Sequence, residues 1–115
     1  MAIPKAKRIK REKDFERVFK TGRALKHPFF LLKFSKNNLS YCRAAVSAPI
    51  SLSKKAVVRN KMKRIFWAAL GKVFIRCRSG IDLVIVISPA AIDKKIYQVT
   101  ESLEDIFIKA NIVQG

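Results

Sequence analysis

The stretch IDLVIVIS, residues 81 to 88, constrains the fold more than any other. Its apolar run from Leu83 to Ile87 shows no alternation of apolar and polar positions, the pattern of a strand buried on both faces. Such a strand needs helices or other strands packed around it. Pro89 ends it and Ser79-Gly80 precedes it. The run is too short to cross a bilayer, so no membrane partner is expected.

The remaining elements follow from periodicity and punctuation. KDFERVFKTG carries Phe15, Val18 and Phe19 at i, i+3 and i+4, with Gly22 as a stop, which predicts a short amphipathic helix. Pro28 introduces PFFLLKFS, read as a strand ending at Asn37-Asn38, and LSYCRAAVSA reads as another, closed by Pro49. Ser53 is placed to cap a long helix opening near Lys54 and running to about Leu70, where Gly71 can break it before a further turn through Arg78. The last helix, roughly 93 to 110, has Ile96, Val99, Leu103, Ile106 and Phe107 at helical spacing. Helix, strands, helix, strand, helix means α/β, with helices packed on a small sheet. With 115 residues and no linker or repeat, one domain over 1–115 is expected, preceded by a basic arm over about 1–12 that orders only against a partner.

Charge decides the partner class. Residues 1–80 hold 22 basic and 3 acidic side chains, a balance of +19, whereas residues 81–115 hold 3 basic and 5 acidic, a balance of −2. A field so one-sided repels itself and calls for a polyanion. No apolar h-region follows the N-terminus, so a cytoplasmic location and a nucleic-acid partner are expected. Cys42 and Cys77 lack CxxC spacing and read as reduced thiols.

The field concentrates in KKAVVRNKMKRIFWAAL, residues 54 to 70, where six Lys and Arg occur in the first eleven positions without a carboxylate. At 100° per residue Val58, Met62, Ile65, Phe66 and Ala69 share one arc, the buried side. Lys55, Arg59 and Lys63 form an i, i+4, i+8 ridge, with Asn60 and Arg64 as its neighbour. Trp67 lies between the ridges and can stack on a base or guanidinium, or pack on a neighbouring element. Arginine forks match phosphate geometry, and asparagine adds a donor and an acceptor, so the face suits folded RNA. Without helix-turn-helix spacing or a dimerisation element, DNA is not expected.

Groups for protein-borne catalysis are sparse. The sole histidine, His27, directly precedes a proline and reads as a loop residue; there is no Cys/His metal set, GxxxxGK[ST] or GxGxxG. If the protein takes part in catalysis, something else supplies the reactive groups.

AVVRNKMKR closely resembles the RNR motif, usually AVxRNRxKR, of the protein subunit of bacterial ribonuclease P. DFERVFKTG is similar to that family's first helix and GIDLVIVISPAA to its late buried strand, in matching order from about Ile9 to Ala110. The resemblance implies an α+β sandwich: a small mixed β-sheet with three main helices, in the order α-β-β-β-α-β-α, with a left-handed βαβ crossover. It also implies an enzyme subunit that assists a catalytic RNA in removing the 5′ leader of precursor tRNA, with Mg²⁺ held mainly by that RNA.

By the same resemblance Arg59, Asn60, Lys61, Lys63 and Arg64, with Lys55 on the ridge, dock on the catalytic RNA. Phe15 and Phe19 line a cleft for the leader, and Phe30 and Leu32, alternate strand positions, share one of its faces. No catalytic residue and no protein-bound metal are expected. Three departures stand out: Lys61 replaces an Arg, Ile50-Ser51 stand where the family has a Lys pair, and Trp67 stands where Arg is common. A small ribosomal protein is the rival reading; it shares the charge and the arm but needs no leader cleft.

Overall fold

In the computed structural model, which describes residues 3–113, the apolar run forms a central strand. The elements are α1 (Glu12–Thr21), β1 (Arg23–His27), β2 (Phe30–Lys36), β3 (Arg43–Ser47), α2 (Ala56–Phe74), β4 (Ile81–Ile87) and α3 (Ile96–Lys109), with single 3-10 turns at Lys5–Lys7 and Pro89–Ala91. The sheet has the order β1-β2-β4-β3. β4 pairs antiparallel with β2 and parallel with β3, so the sheet is mixed and α2 is a crossover between parallel neighbours.

Strand alternation sorts the side chains into two layers. Leu83, Ile85 and Ile87 of β4, with Phe30 and Leu32 of β2 and Ala44 and Val46 of β3, join Met62, Phe66, Leu70 and Val73 of α2 and Leu103 and Phe107 of α3 in the main core. Burial of each large side chain there contributes roughly 1.5–3 kcal/mol. On the other face Val84 and Ala45 meet Val18 and Ile9, with Phe15 and Val86 partly buried beside them. One strand thus supports both layers, as its unbroken apolar run requires.

The order α-β-β-β-α-β-α implied by the resemblance holds, while three readings from the residues change. First, periodicity missed the strand before PFFLLKFS: β1 pairs with β2 from Arg23↔Phe34 to His27↔Phe30. Its RALKH sequence is too polar to stand out, and a short charged strand is suited to a sheet edge. His27 closes the hairpin turn, because its Nδ1 accepts the Phe29 N–H at 3.0 Å. Second, α2 starts after Lys55 without a side-chain cap and continues through Gly71 to Phe74. Ser53 lies before the cap position, its Oγ accepting the Lys55 N–H at 3.2 Å. Glycine costs a helix about 1 kcal/mol relative to alanine, less than is gained by burying Leu70, Val73 and Phe74 around it.

Third, residues 3–9 are folded onto the domain. Ile9 N–H donates to the Ala44 carbonyl at 2.9 Å, and Arg8 bridges Ala44 in parallel, covering the outer edge of β3. Ile3 enters the main core while Ile9 enters the layer under α1, so the segment is pinned on both faces of the sheet. Two isoleucines among many cations have no periodicity, and only the sheet edge makes them anchors. Met1 and Ala2 lie outside the described residues.

Candidate nucleic-acid interface

The helical angles place the basic face correctly. Met62, Phe66 and Ala69 are buried, Val58 and Ile65 half-buried, while Lys55, Asn60, Lys61, Lys63 and Arg64 are exposed. Arg59 is half-buried and donates from Nη1 to the Ser53 carbonyl at 2.8 Å, which anchors the incoming loop without cancelling the charge. Among the described residues the ion pairs are Arg17–Asp82, Arg43–Asp14, Arg43–Asp82 and Arg76–Glu104, and none involves this face. No acid occupies the first turn of α2, so its uncapped N–H groups and positive dipole end add to the field of Lys54 and Lys55.

Trp67 is half-buried rather than outward. The Arg8 guanidinium lies 4.5 Å from its ring centroid, so the indole is held by the N-terminal segment. Of the readings open at Trp67, guanidinium stacking and packing on a neighbour both hold within the protein.

The opposite face of the sheet carries a cleft. α1 lies across one end of this face, with Val18 buried, Phe15 half-buried and Phe19 39 % exposed. A buried carboxylate fastens it there. Asp82, wholly inaccessible on β4, accepts from Arg43 on β3, from Asn37 Nδ2 at 2.7 Å and from Arg17 on α1. Arg43 also reaches Asp14 on α1 at 3.3 Å. Hydrogen bonding to Asp82 raises the Arg43 pKa further above its already high value, so that cation is permanent. Three elements and a loop are thus locked at one carboxylate.

Beside α1 the sheet presents Lys26, Leu31, Val86 and Ser47 as one row across all four strands, by register. Lys33, one row nearer α1, sets its Nζ 4.8 Å from the Phe19 ring centroid and donates to the Phe19 carbonyl at 3.2 Å. This is an aromatic and basic groove with an apolar floor.

Phe30 and Leu32 are not in it. Both are fully buried on the other face, with Phe30 edge-on to Phe66 at 6.0 Å between centroids and stacked with His27. The expected alternation is right but its phase is reversed, because PFFLLKF is apolar at both parities and does not declare which side faces α1. Lys33, the one charge in that run, is the signal that marks Leu31 and Lys33 as the open side. Asp82 had a signal too: it is the only carboxylate between Glu16 and Asp93 and sits at the head of a buried strand. Ile50, 71 % exposed with Ser51 beside it, occupies the β3–α2 connection without the lysine pair that the resemblance implies. Cys42 and Cys77 are both free, as thiols that lie beside each other.

A sheet with a clefted face and a helix of unneutralised cations define a basic α+β protein built to meet a polyanion. The sequence pattern of the family described as Ribonuclease P matches residues 3–111. The chain belongs to that family. The ribonuclease P protein component of Nostoc punctiforme is 33 % identical over alignments covering 100 % of this chain and 99 % of the relative, and that of Synechocystis sp. is 29 % identical over 98 % and 92 %. The solved RNase P protein of Staphylococcus aureus superposes with a TM-score of 0.83 at 27 % identity, covering 96 % of this chain and 100 % of that one. The Thermotoga maritima RNase P protein, at 24 % identity and TM-score 0.79 over 94 % and 98 %, shares the fold. Membership makes this chain part of an RNA-processing enzyme with an RNA partner, and it supports this reading over the ribosomal one. Among the described residues no helix is long and apolar enough to cross a membrane.

Proposed function

We propose that this chain docks on the catalytic RNA of a ribonuclease P ribonucleoprotein through Lys55, Arg59, Asn60, Lys61, Lys63 and Arg64, and holds the 5′ leader of precursor tRNA in the cleft beside α1. The observation that carries the reading is the α2 face, whose cations have no carboxylate partner among the described residues. Phosphates are the natural counter-charge, and their neutralisation releases counterions and makes affinity salt-dependent. Phe15 and Phe19 wall the cleft, Leu31 and Val86 floor it, and Lys26 and Lys33 supply charge. A single-stranded leader suits this, since stacking a base on an aromatic ring contributes about 1–3 kcal/mol and tolerates any sequence.

Because only the precursor has a leader, contact with it raises affinity for substrate over mature product. The phosphodiester cleavage itself is assigned to the RNA, as is Mg²⁺. Among the described residues no three His, Cys, Asp or Glu side chains gather as a metal set. The protein's part is to bind, orient and screen repulsion between two RNAs.

Reconstitution with catalytic RNA at low Mg²⁺, on precursors of graded leader length, tests this. Affinity should rise with leader length until the cleft is filled, and only in the presence of the protein. Cleavage indifferent to both protein and leader would defeat the reading.

A further inference from the structure

A second group of cations sits at the other end of the sheet from the N-terminus of α2. Arg23 opens β1, Lys36 closes β2 and Arg78 lies just before β4; register sets Arg23 opposite Phe34 and Lys36 opposite Ile81. The three side chains are exposed and rim a cavity of about 540 Å³ whose lining includes Phe34, Ile81 and Ser35. Among the described residues none of the three cations has a carboxylate within ion-pair reach. Arg78 Nη2 donates to Asn111 Oδ1 at 3.1 Å, which steadies its fork at the rim. Thr21, the last residue of α1, also lines the cavity. The site therefore lies at the strand ends near the end of α1, apart from both the α2 face and the open row at Leu31.

We infer that this cavity is a second RNA contact, which takes one phosphodiester between Arg23, Lys36 and Arg78 and rests the attached nucleoside on the Phe34 and Ile81 lining. Two guanidinium forks and an ammonium match a phosphate's oxygens, and the apolar lining suits a sugar or base face. A free small anion would not use that lining. The phosphodiester belongs either to the catalytic RNA or to precursor tRNA, and two binding measurements separate them. The inference rests on the reading of the chain as an RNA-binding subunit.

The test compares the triple variant Arg23→Ala, Lys36→Ala, Arg78→Ala with an equal-charge comparator, Lys13→Ala, Lys95→Ala, Lys109→Ala. Binding is measured to free catalytic RNA and, with assembled holoenzyme, to precursor tRNA, each across a salt series. The triple variant should weaken one of the two by about tenfold and reduce its salt slope by two to three units, roughly one per lost contact. Loss at the first step assigns the catalytic RNA, and loss confined to the second assigns precursor tRNA. Arg78→Lys, which retains charge without the fork, should weaken the same step with little change of slope, and it serves if the triple variant does not fold. Losses no greater than the comparator's in both measurements, or an Arg78→Lys variant indistinguishable from the parent, overturn the inference. A parallel Lys63→Ala, Arg64→Ala variant separates the two proposals. If it loses catalytic-RNA binding while the cavity variants bind normally, only the cavity falls; if it binds normally, the docking face itself is wrong.

Discussion

Asp82 receives the Arg43 guanidinium in a fork, Nε to Oδ1 at 2.9 Å and Nη2 to Oδ2 at 2.7 Å, in a position without solvent access. The same carboxylate takes Arg17 from α1, so the helix that walls the cleft is tied to the middle of the sheet. Removing the charge leaves Arg43 half-buried with Asp14 as its remaining partner. Asp82→Asn should destabilise by about 3–5 kcal/mol, the range for breaking a buried pair from one side. Chemical denaturation checks this. A midpoint unchanged from the parent would show that the lock holds nothing.

Phe19 and Phe30 make opposite demands. Phe19→Ala removes a partly exposed ring and should cost little stability, about 1 kcal/mol, while lowering affinity for precursor tRNA more than for mature tRNA. Phe30→Ala opens the main core beside Phe66 and should cost about 3–5 kcal/mol. Any effect it has on RNA should be equal for precursor and mature tRNA. Paired unfolding and binding measurements decide, and a selective leader defect from Phe30→Ala would restore it to the cleft.

Lys63→Ala with Arg64→Ala removes two exposed cations from a face without carboxylates. Binding to the catalytic RNA should weaken at every salt concentration, and the slope of log affinity against log salt should flatten by about two units. Circular dichroism should be unchanged, because neither side chain is in the core. An unaltered slope would mean that these groups do not meet phosphate.

His27 gives the fold a mild pH dependence. Burial lowers its pKa from 6.5, with Asp105 opposing, and its Nδ1 must stay unprotonated to accept the Phe29 N–H. The unfolded chain therefore binds the proton more readily than the folded one. Stability should be complete above the unfolded pKa of 6.5 and decline as pH falls below it, until the lowered folded pKa is passed. His27→Asn should abolish this part of the decline in thermal melts between pH 7.5 and the onset of carboxylate titration, about pH 5. A parent melting temperature flat across that window would refute the assignment.

How much was legible beforehand differs between helix and sheet. The exposed basic face of α2 was readable, because a helix fixes its own angles: once Met62, Phe66 and Ala69 point inward, Lys63 and Arg64 must point out. Charge imbalance likewise needs no structure, and β4 declared itself by a β-branched apolar run bounded by Gly80 and Pro89. The floor of the cleft was not readable. A strand has two faces, and which one meets α1 depends on a chain crossing decided by distant residues, so Phe30 and Leu32 exchange places with Leu31 and Lys33. The partners of Asp82 come from positions 17, 37 and 43, and the cover of the β3 edge comes from Arg8 and Ile9. Local periodicity therefore determined most of the elements and the exposed basic face of α2, and charge balance the class of partner. Only long-range packing could decide the cleft, its lock and the second cation cluster, because each is assembled from residues that become neighbours only when the sheet closes.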